Sequence, residues 1–245
     1  MKIAVISDIH GNIWALREVL KDIRKRDIEQ IINLGDSLYG PLDPMGTAEI
    51  LIKENIISIS GNQDRSIVEA RYMSHINYTM EYTLNEINED VIKWLSSLEK
   101  NTVLEDQSYL CHGKPDADDE YLVEETEQSG VTVKLSDKLM KELECIEQKL
   151  IFCGHSHLPR SVLLPNGKVI VNPGSVGLQA YNEEKPFYYE INNGSPHARY
   201  SIVEMNENGL NIENIALEYD WNTAAECASK NKRYDWGKWL STGIC

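Results

Sequence analysis

The sequence has no apolar run long enough to span a bilayer, which excludes a membrane-crossing helix as its organising element. Met1 leads into a short strand-like run and not into a signal-peptide pattern, so the expectation is a cytoplasmic protein with no membrane partner. Five cysteines (Cys111, Cys145, Cys153, Cys227, Cys245) form no CxxC pair. Cys111 and Cys153 fall in or beside strand-like apolar segments, which suits buried reduced thiols. Positive charge is scarce: 24 Lys and Arg stand against 39 Asp and Glu, a formal net charge of −15. Broad, sequence-independent binding to nucleic acid or to an anionic membrane is therefore not expected. A phosphorylated substrate stays open, because bound metal ions reverse the local field inside an acidic protein. Much of the acidity lies in Asp116–Glu127, which reads as a solvated face. Internal repeats and low-complexity linkers are also missing, so one domain over 1–245 is expected.

What is present is an ordinary core, with 42% hydrophobic residues in 245. The chain is organised around its first twelve residues, MKIAVISDIHGN. Ile3 to Ile6 read as a buried strand that delivers Asp8 and His10 on the loop at its carboxyl end. Ile13, Leu16, Val19, Leu20 and Ile23 recur at helical spacing, predicting a helix from Ile13 to about Arg26. A strand at Ile31–Leu34, a helix near Gly46–Glu54 and a strand at Ile56–Ser60 follow. Three strand–loop–helix units in succession imply right-handed crossovers and a largely parallel sheet. The segment from about 66 to 100 breaks this rhythm and reads as a small helical, cap-like insertion over the site side. Strands Ser108–Cys111 and Leu150–Cys153 flank a helix from Ser136 to about Gln148. Beyond them come short strands in hairpin order, at Ser161–Leu164, Lys168–Val171, Phe187–Ile191, Arg199–Met205 and Leu210–Leu217. Asn166-Gly167 marks a tight turn between the first two. These predict a second, mixed or antiparallel sheet covering the first. A helix at Asn222–Lys230 and a tail docked through Trp236 and Trp239 close the chain.

Five strand ends carry polar clusters: Asp8 with His10, Asp36, Asn62, His112, and His155 with His157. Four of the six histidines belong to this set. Any one of them alone would cap a turn or satisfy a loop. Together, each after an apolar strand and beside a glycine, they form a donor set suited to a pair of divalent ions of the Mn, Fe, Zn, Ni or Mg class. Two neighbouring ions need an anionic ligand between them, and Asp36 is the middle carboxylate. Such a pair activates a hydroxide while clamping phosphoryl oxygens for in-line attack.

The motifs Asp8-Ile9-His10, Gly35-Asp36, Gly61-Asn62-Gln63-Asp64, His112-Gly113 and Gly154-His155-Ser156-His157 resemble, in kind and order, those of the calcineurin-like metallophosphoesterases. The resemblance covers residues 1 to about 177. It ends at Asn172-Pro173-Gly174-Ser175-Val176-Gly177, as in the small bacterial and archaeal, phosphodiesterase-like members. It implies an α/β (mixed α+β) fold, a four-layer αββα sandwich of two mixed sheets flanked by helices. It implies that Asp8, His10 and His157 bind a first metal, that Asp36 bridges, and that Asn62, His112 and His155 bind a second. The implied activity is hydrolysis of a phosphodiester or phosphomonoester by metal-activated hydroxide, with Asp36, Asn62 and His112 at the catalytic centre. The alternatives are a phosphoprotein (Ser/Thr) phosphatase and, in another class, a non-catalytic metal-binding scaffold.

The chain departs from the family where many members have His and it has Gln63. Glutamine donates a hydrogen bond but delivers no proton. Esters with good leaving groups are therefore expected to react well and those with poor ones slowly. His75 in the insertion is a candidate replacement acid. Arg160 would meet a substrate phosphate or form a surface ion pair. Asn12 would contact substrate or, the favoured reading, cap the following helix. Asn172 and Ser175 are expected to shape a turn near the site. The acidic surface and the insertion favour a small phosphorylated molecule over a long nucleic acid, with a phosphoprotein as the other partner class. An edge strand or the Trp-rich tail would support a homodimer.

Overall fold

A computed structural model of the chain describes residues 2–54, 56–127, 130–207 and 209–245. Three strand–helix units open it: β1 (Lys2–Ile6) with α1 (Ile13–Ile23), β2 (Gln30–Asn33) with α2 (Pro44–Lys53), and β3 (Ile57–Ser58) with α3 (Asn62–Ala70). Helices α4 (Tyr78–Glu86) and α5 (Glu89–Ser96) come next, then β4 (Asn101–Leu104) and β5 (Ser108–Cys111). A two-stranded ribbon, β6 (Glu124–Glu127) and β7 (Gly130–Val133), precedes α6 (Ser136–Glu142), β8 (Leu150–Phe152), β9 (Arg160–Leu163) and β10 (Val169–Asn172). A second ribbon, β11 (Ala180–Glu183) and β12 (Tyr189–Asn192), leads to the long pair β13 (Ala198–Asn206) and β14 (Gly209–Leu217). Helices α7 (Trp221–Lys230) and α8 (Tyr234–Thr242) close the chain.

Two five-stranded mixed sheets form the centre, in the orders β14-β13-β1-β2-β3 and β4-β5-β8-β10-β9. In the first, β1, β2 and β3 run parallel while β13 lies antiparallel to β1. In the second, β5, β8 and β10 run parallel between antiparallel edges. The period-two alternation of each strand decides the layering. Ile3 and Val5 of β1 face the second sheet and meet Leu110, Phe152 and Val171. Ala4 and Ile6 face the opposite way, into a core built with α1, α7 and α8. On the far side Tyr109, Cys111, Ile151 and Ile170 pack against Leu139 and Leu143, in and after α6. The result is the expected four-layer αββα sandwich with three apolar seams, in which each fully buried Ile or Leu contributes about 1.5–3 kcal/mol.

Several elements differ from the sequence expectation. Helix α1 stops at Ile23 and α6 at Glu142, both short of their predicted ends. Strands β4, β6, β7 and β11 were not expected; none carries an apolar run or a clean alternation, and each is held by its ladder partner. The acidic run is not wholly a solvated face, because Glu124 is only 2% exposed. The tail does dock, with Trp236 and Trp239 buried, but it is a second helix, ended by Gly243 at a φ of +69°. Among the described residues no helix is long and apolar enough to cross a membrane.

Candidate metal centre

The seven candidate ligands sit just beyond the carboxyl ends of β1, β2, β3, β5 and β8, six on loops and Asn62 at the first position of α3. That edge is where open α/β sheets bind ligands. Asp8, His10, Asp36, His155 and His157 all hold positive φ angles, between +53° and +68°. The left-handed region is disfavoured for residues with a Cβ, least so for Asp, Asn and His, and costs about 1–3 kcal/mol at each position. The neighbouring loops hold this backbone in place. Asp8 N–H donates to the Gly35 carbonyl and His10 N–H to the Asp36 carbonyl, each at 2.9 Å. The Ser175 hydroxyl and the Gly177 N–H both donate to the Asp8 carbonyl, at 2.8 and 3.0 Å. The Asn172 amide donates to the Gly154 carbonyl at 2.8 Å, so the 172–177 turn braces two ligand loops at once.

The side chains converge in two groups. Asp8, His10 and His157 offer ligand atoms within 4.8 Å of one another, and Asp36, His112 and His155 do the same. Asp36 stands between the groups, its Oδ2 3.4 Å from His112 Nε2 and 4.0 Å from His10 Nε2. Asp8 Oδ1 is 3.3 Å from His157 Nε2. Three imidazoles are oriented through Nδ1 against backbone carbonyls: His10 on Tyr39 at 2.9 Å, His112 on Leu34 at 2.8 Å and His157 on Leu178 at 2.7 Å. Each therefore turns Nε2 inward, the arrangement by which an outer-shell carbonyl aims a metal-binding histidine. Asp8 Oδ1, Asn62 Oδ1 and His112 Nε2 are buried with no hydrogen-bond partner among the described residues. Buried polar atoms are otherwise almost always satisfied. These unpaired, converging N and O donors fit divalent ions of the hard and borderline classes.

Electrostatics agree with a site built for cations. Burial raises the Asp8 carboxyl, but His157, His112 and His10 outweigh it and hold the group well below the usual carboxylate range. Burial lowers His112, yet Asp36 and Asp8 push it up to about 10. His155 moves the other way, to about 4, through burial and the charge on His112. Asp64 closes the Gly61-Asn62-Gln63-Asp64 motif. Its buried carboxyl accepts from Ser37 N–H at 2.9 Å and Gly61 N–H at 3.1 Å, tying the Asp36 loop to the Asn62 loop. Burial and the neighbouring Asp36 raise it to about 7.

The ligands open onto a cavity of about 240 Å³ that also takes in Tyr39, Gln63, Tyr181, Glu183, Arg233 and Trp236. A second hollow of about 600 Å³ borders two of these residues, Asn62 and His155, and shares Glu183 with the first. Gln63 lines the first cavity, and its backbone N–H donates to Asp36 Oδ1 at 2.8 Å. His75 is exposed between α3 and α4 and lines neither cavity. Arg160 also lines neither; its Nε is 3.3 Å from Glu124 Oε1, an ion pair with the buried carboxylate. No residue from 66 to 100 lines either cavity. The insertion instead packs on Leu38 and Ala48, buttressing the loop after Asp36, while α8 supplies the wall. That wall was missed because Trp236 and Trp239 read only as docking residues.

Asn12 is fully buried, with every polar atom engaged away from the cavity. Its Oδ1 accepts from Ala15 N–H and caps α1, while Nδ2 donates to the Gly177 carbonyl and the Tyr219 hydroxyl. It is an anchor of α1, as favoured from the sequence, and lines neither cavity. Asn12→Ala removes a cap and leaves buried acceptors bare, and is expected to cost about 2–3 kcal/mol. A fall in the urea midpoint at unchanged slope checks this; no change would show that the anchor is dispensable.

The calcineurin-like phosphoesterase superfamily domain model matches residues 1–193. An uncharacterized protein of Methanocaldococcus jannaschii is 29% identical over 261 residues, covering 96% of this chain and 94% of that protein. A metallophosphoesterase structure from Sphaerobacter thermophilus superposes with a TM-score of 0.77 at 21% identity, covering 100% of this chain and 99% of that one. The structure of an archaeal phosphodiesterase matches with a TM-score of 0.50 at 15% identity, over 89% of this chain and 100% of that one. With its motifs on the expected loops and the family model spanning most of its length, the chain belongs to the calcineurin-like phosphoesterase superfamily.

Proposed function

We propose that the protein is a metal-dependent phosphoesterase that hydrolyses a small phosphorylated molecule at a centre of two divalent ions. The observation that carries this is the pair of buried His/carboxylate groups opening onto one cavity, with Asp36 between them. Asp8, His10 and His157 would hold one ion and Asn62, His112 and His155 the other, with Asp36 common to both. When bound, such ions clamp phosphoryl oxygens as Lewis acids and make water nucleophilic near neutral pH. The chain's own part is to fix the donors. Backbone carbonyls hold three imidazoles in one tautomer, and the braced loops keep the carboxylates in register. Gln63, on the cavity wall, offers the leaving oxygen a hydrogen bond but no proton.

The test is turnover of bis(p-nitrophenyl) phosphate and p-nitrophenyl phosphate by metal-free protein reloaded with Mn²⁺, Ni²⁺, Zn²⁺ or Mg²⁺. Metal-dependent hydrolysis is expected. Protein that takes up two ions per chain yet cleaves neither ester would be the scaffold of the alternative reading.

Two features favour a diester over a monoester. Asn62 and His155 border both hollows, which gives room for two alcohol arms. The second hollow is also acidic, with Asp119, Glu120, Glu124, Glu125 and Glu183 against Lys134 and Lys185, which penalises a dianion more than a monoanion. The expected kcat/KM ratio of diester to monoester is at least about tenfold, or 1.4 kcal/mol of barrier. A ratio below one would remove the diester preference.

The missing acid sets a further expectation. Across aryl and alkyl esters, kcat should fall steeply as the leaving-group pKa rises, and Gln63→His should flatten that dependence. A wild-type profile already flat would mean that another group delivers the proton.

A further inference from the structure

Arg233 is the one Lys or Arg among the described residues lining the metal-side cavity. It comes from the turn into α8, beyond residue 193 where the family match ends. The side chain is held on three sides. The Asp235 carboxylate accepts from Nε at 2.9 Å and from Nη2 at 2.6 Å. The Thr79 hydroxyl at the start of α4 accepts from Nη1. The guanidinium carbon lies 5.4 Å from the centre of the Trp236 ring, within cation–π range. Trp236 in turn meets His10 edge-on, ring centres 5.9 Å apart. The cation therefore stands one indole away from a candidate metal ligand, at the side of the cavity and not among the ligands themselves.

A guanidinium has five N–H donors, and Asp235 and Thr79 take three of them. One N–H on each of Nη1 and Nη2 is left for a ligand. A fork held planar loses little rotamer freedom on binding and matches phosphate oxygens in shape. An arginine spent only on a surface ion pair would not be expected on the wall of the catalytic cavity, with its side chain 23% exposed.

We propose that Arg233 is a specificity residue that binds a second, non-scissile phosphate on the substrate arm entering the metal-side cavity. This rests on the phosphoesterase reading above. It makes the substrate a phosphodiester carrying a further phosphate, and it makes α8 the element that selects it. Asp235 and Thr79 position the fork, and Trp236 backs it.

The experiment compares two chromogenic probes that share a leaving group: the p-nitrophenyl ester of thymidine 5′-phosphate, with and without a 3′-phosphate. The wild type is expected to show a KM at least about tenfold lower for the 3′-phosphorylated probe, about 1.4 kcal/mol of added binding. Arg233→Met should lower kcat/KM for that probe at least about tenfold more than for the plain one, chiefly through KM, and Arg233→Lys should restore part of the difference. A wild type indifferent to the 3′-phosphate overturns the proposal, as does a variant that loses both probes by the same factor. If neither probe is cleaved, the phosphoesterase reading has failed, and calorimetry still decides the role of Arg233. Thymidine 3′,5′-bisphosphate should bind metal-loaded wild type more tightly than thymidine 5′-phosphate, and Arg233→Met should erase the gap. Equal affinities in the wild type would dismiss the second-phosphate site.

Discussion

Replacing Asp36 by Asn is expected to lower metal-dependent ester hydrolysis by at least about 10³-fold, since the several kcal/mol a metal centre contributes at tenfold per 1.36 kcal/mol come to three decades or more. The substitution keeps the shape of the side chain and the oxygen that accepts from Gln63 N–H, so the loop retains its geometry. What it removes is charge. Asp36 reaches a histidine of each group, at 3.4 Å from His112 and 4.0 Å from His10. Without it, Asp8 alone faces four histidines and the ions they would bind. On the two-ion reading proposed above, bound metal should fall from two ions per chain to one or fewer by elemental analysis, with little change in the melting temperature of the metal-free protein. His112→Ala, which deletes one candidate ligand and leaves both carboxylates, should reduce activity to a similar extent. A variant of Asp36 that keeps its full metal complement and more than a tenth of wild-type turnover would falsify the shared-ligand role.

The parts of the molecule legible in the sequence are those written in short-range pattern. Ile3 to Ile6, Leu150 to Phe152 and Val169 to Val171 are apolar runs that end at a Gly- or Asn-containing loop, and each became a central strand. The candidate ligands were legible for the same reason, since strand, glycine and donor lie within a few residues of one another. What stayed hidden depends on distant partners. Glu124 in β6 looks like one acidic residue among many until the fold brings Arg160 against it, 36 positions away. Tyr121, Tyr181 and Tyr189 are ordinary tyrosines in sequence, yet their hydroxyls meet at 2.6 and 2.9 Å. The cavity wall is the clearest case. Arg233 and Trp236 lie nearly two hundred residues from Asp36, and no local pattern announces that α8 returns to the first loop. Helix propensity was also overridden at α6, where the Lys- and Glu-rich sequence continues to Gln148 but the helix ends at Glu142.

Gly35→Ala is expected to destabilise the protein by about 2–5 kcal/mol, combining a left-handed penalty of about 1–2 with overpacking of about 1–3. Gly35 holds a φ of +99°, and a Cβ there would lie 2.3 Å from Gly61 N and 2.6 Å from Gly61 Cα. Both obstacles are backbone, so no side-chain rotation relieves them. The close approach is reciprocal, because a Cβ on Gly61 would lie 2.2 Å from Asp36 Oδ1. Two facing glycines thus let the loops after β2 and β3 touch, and that contact brings Asp36 and Asn62 to one place. The melting temperature should fall by about 5–15 °C, and metal affinity should fall with it as the loops are forced apart. Gly167→Ala separates the two causes. Gly167 also has a positive φ, +83°, but a Cβ there meets nothing within 4 Å. That variant should carry only the left-handed penalty of about 1–2 kcal/mol and keep its metal. If the two variants melt together and bind metal alike, the tight packing of Gly35 on Gly61 is not what sets the site.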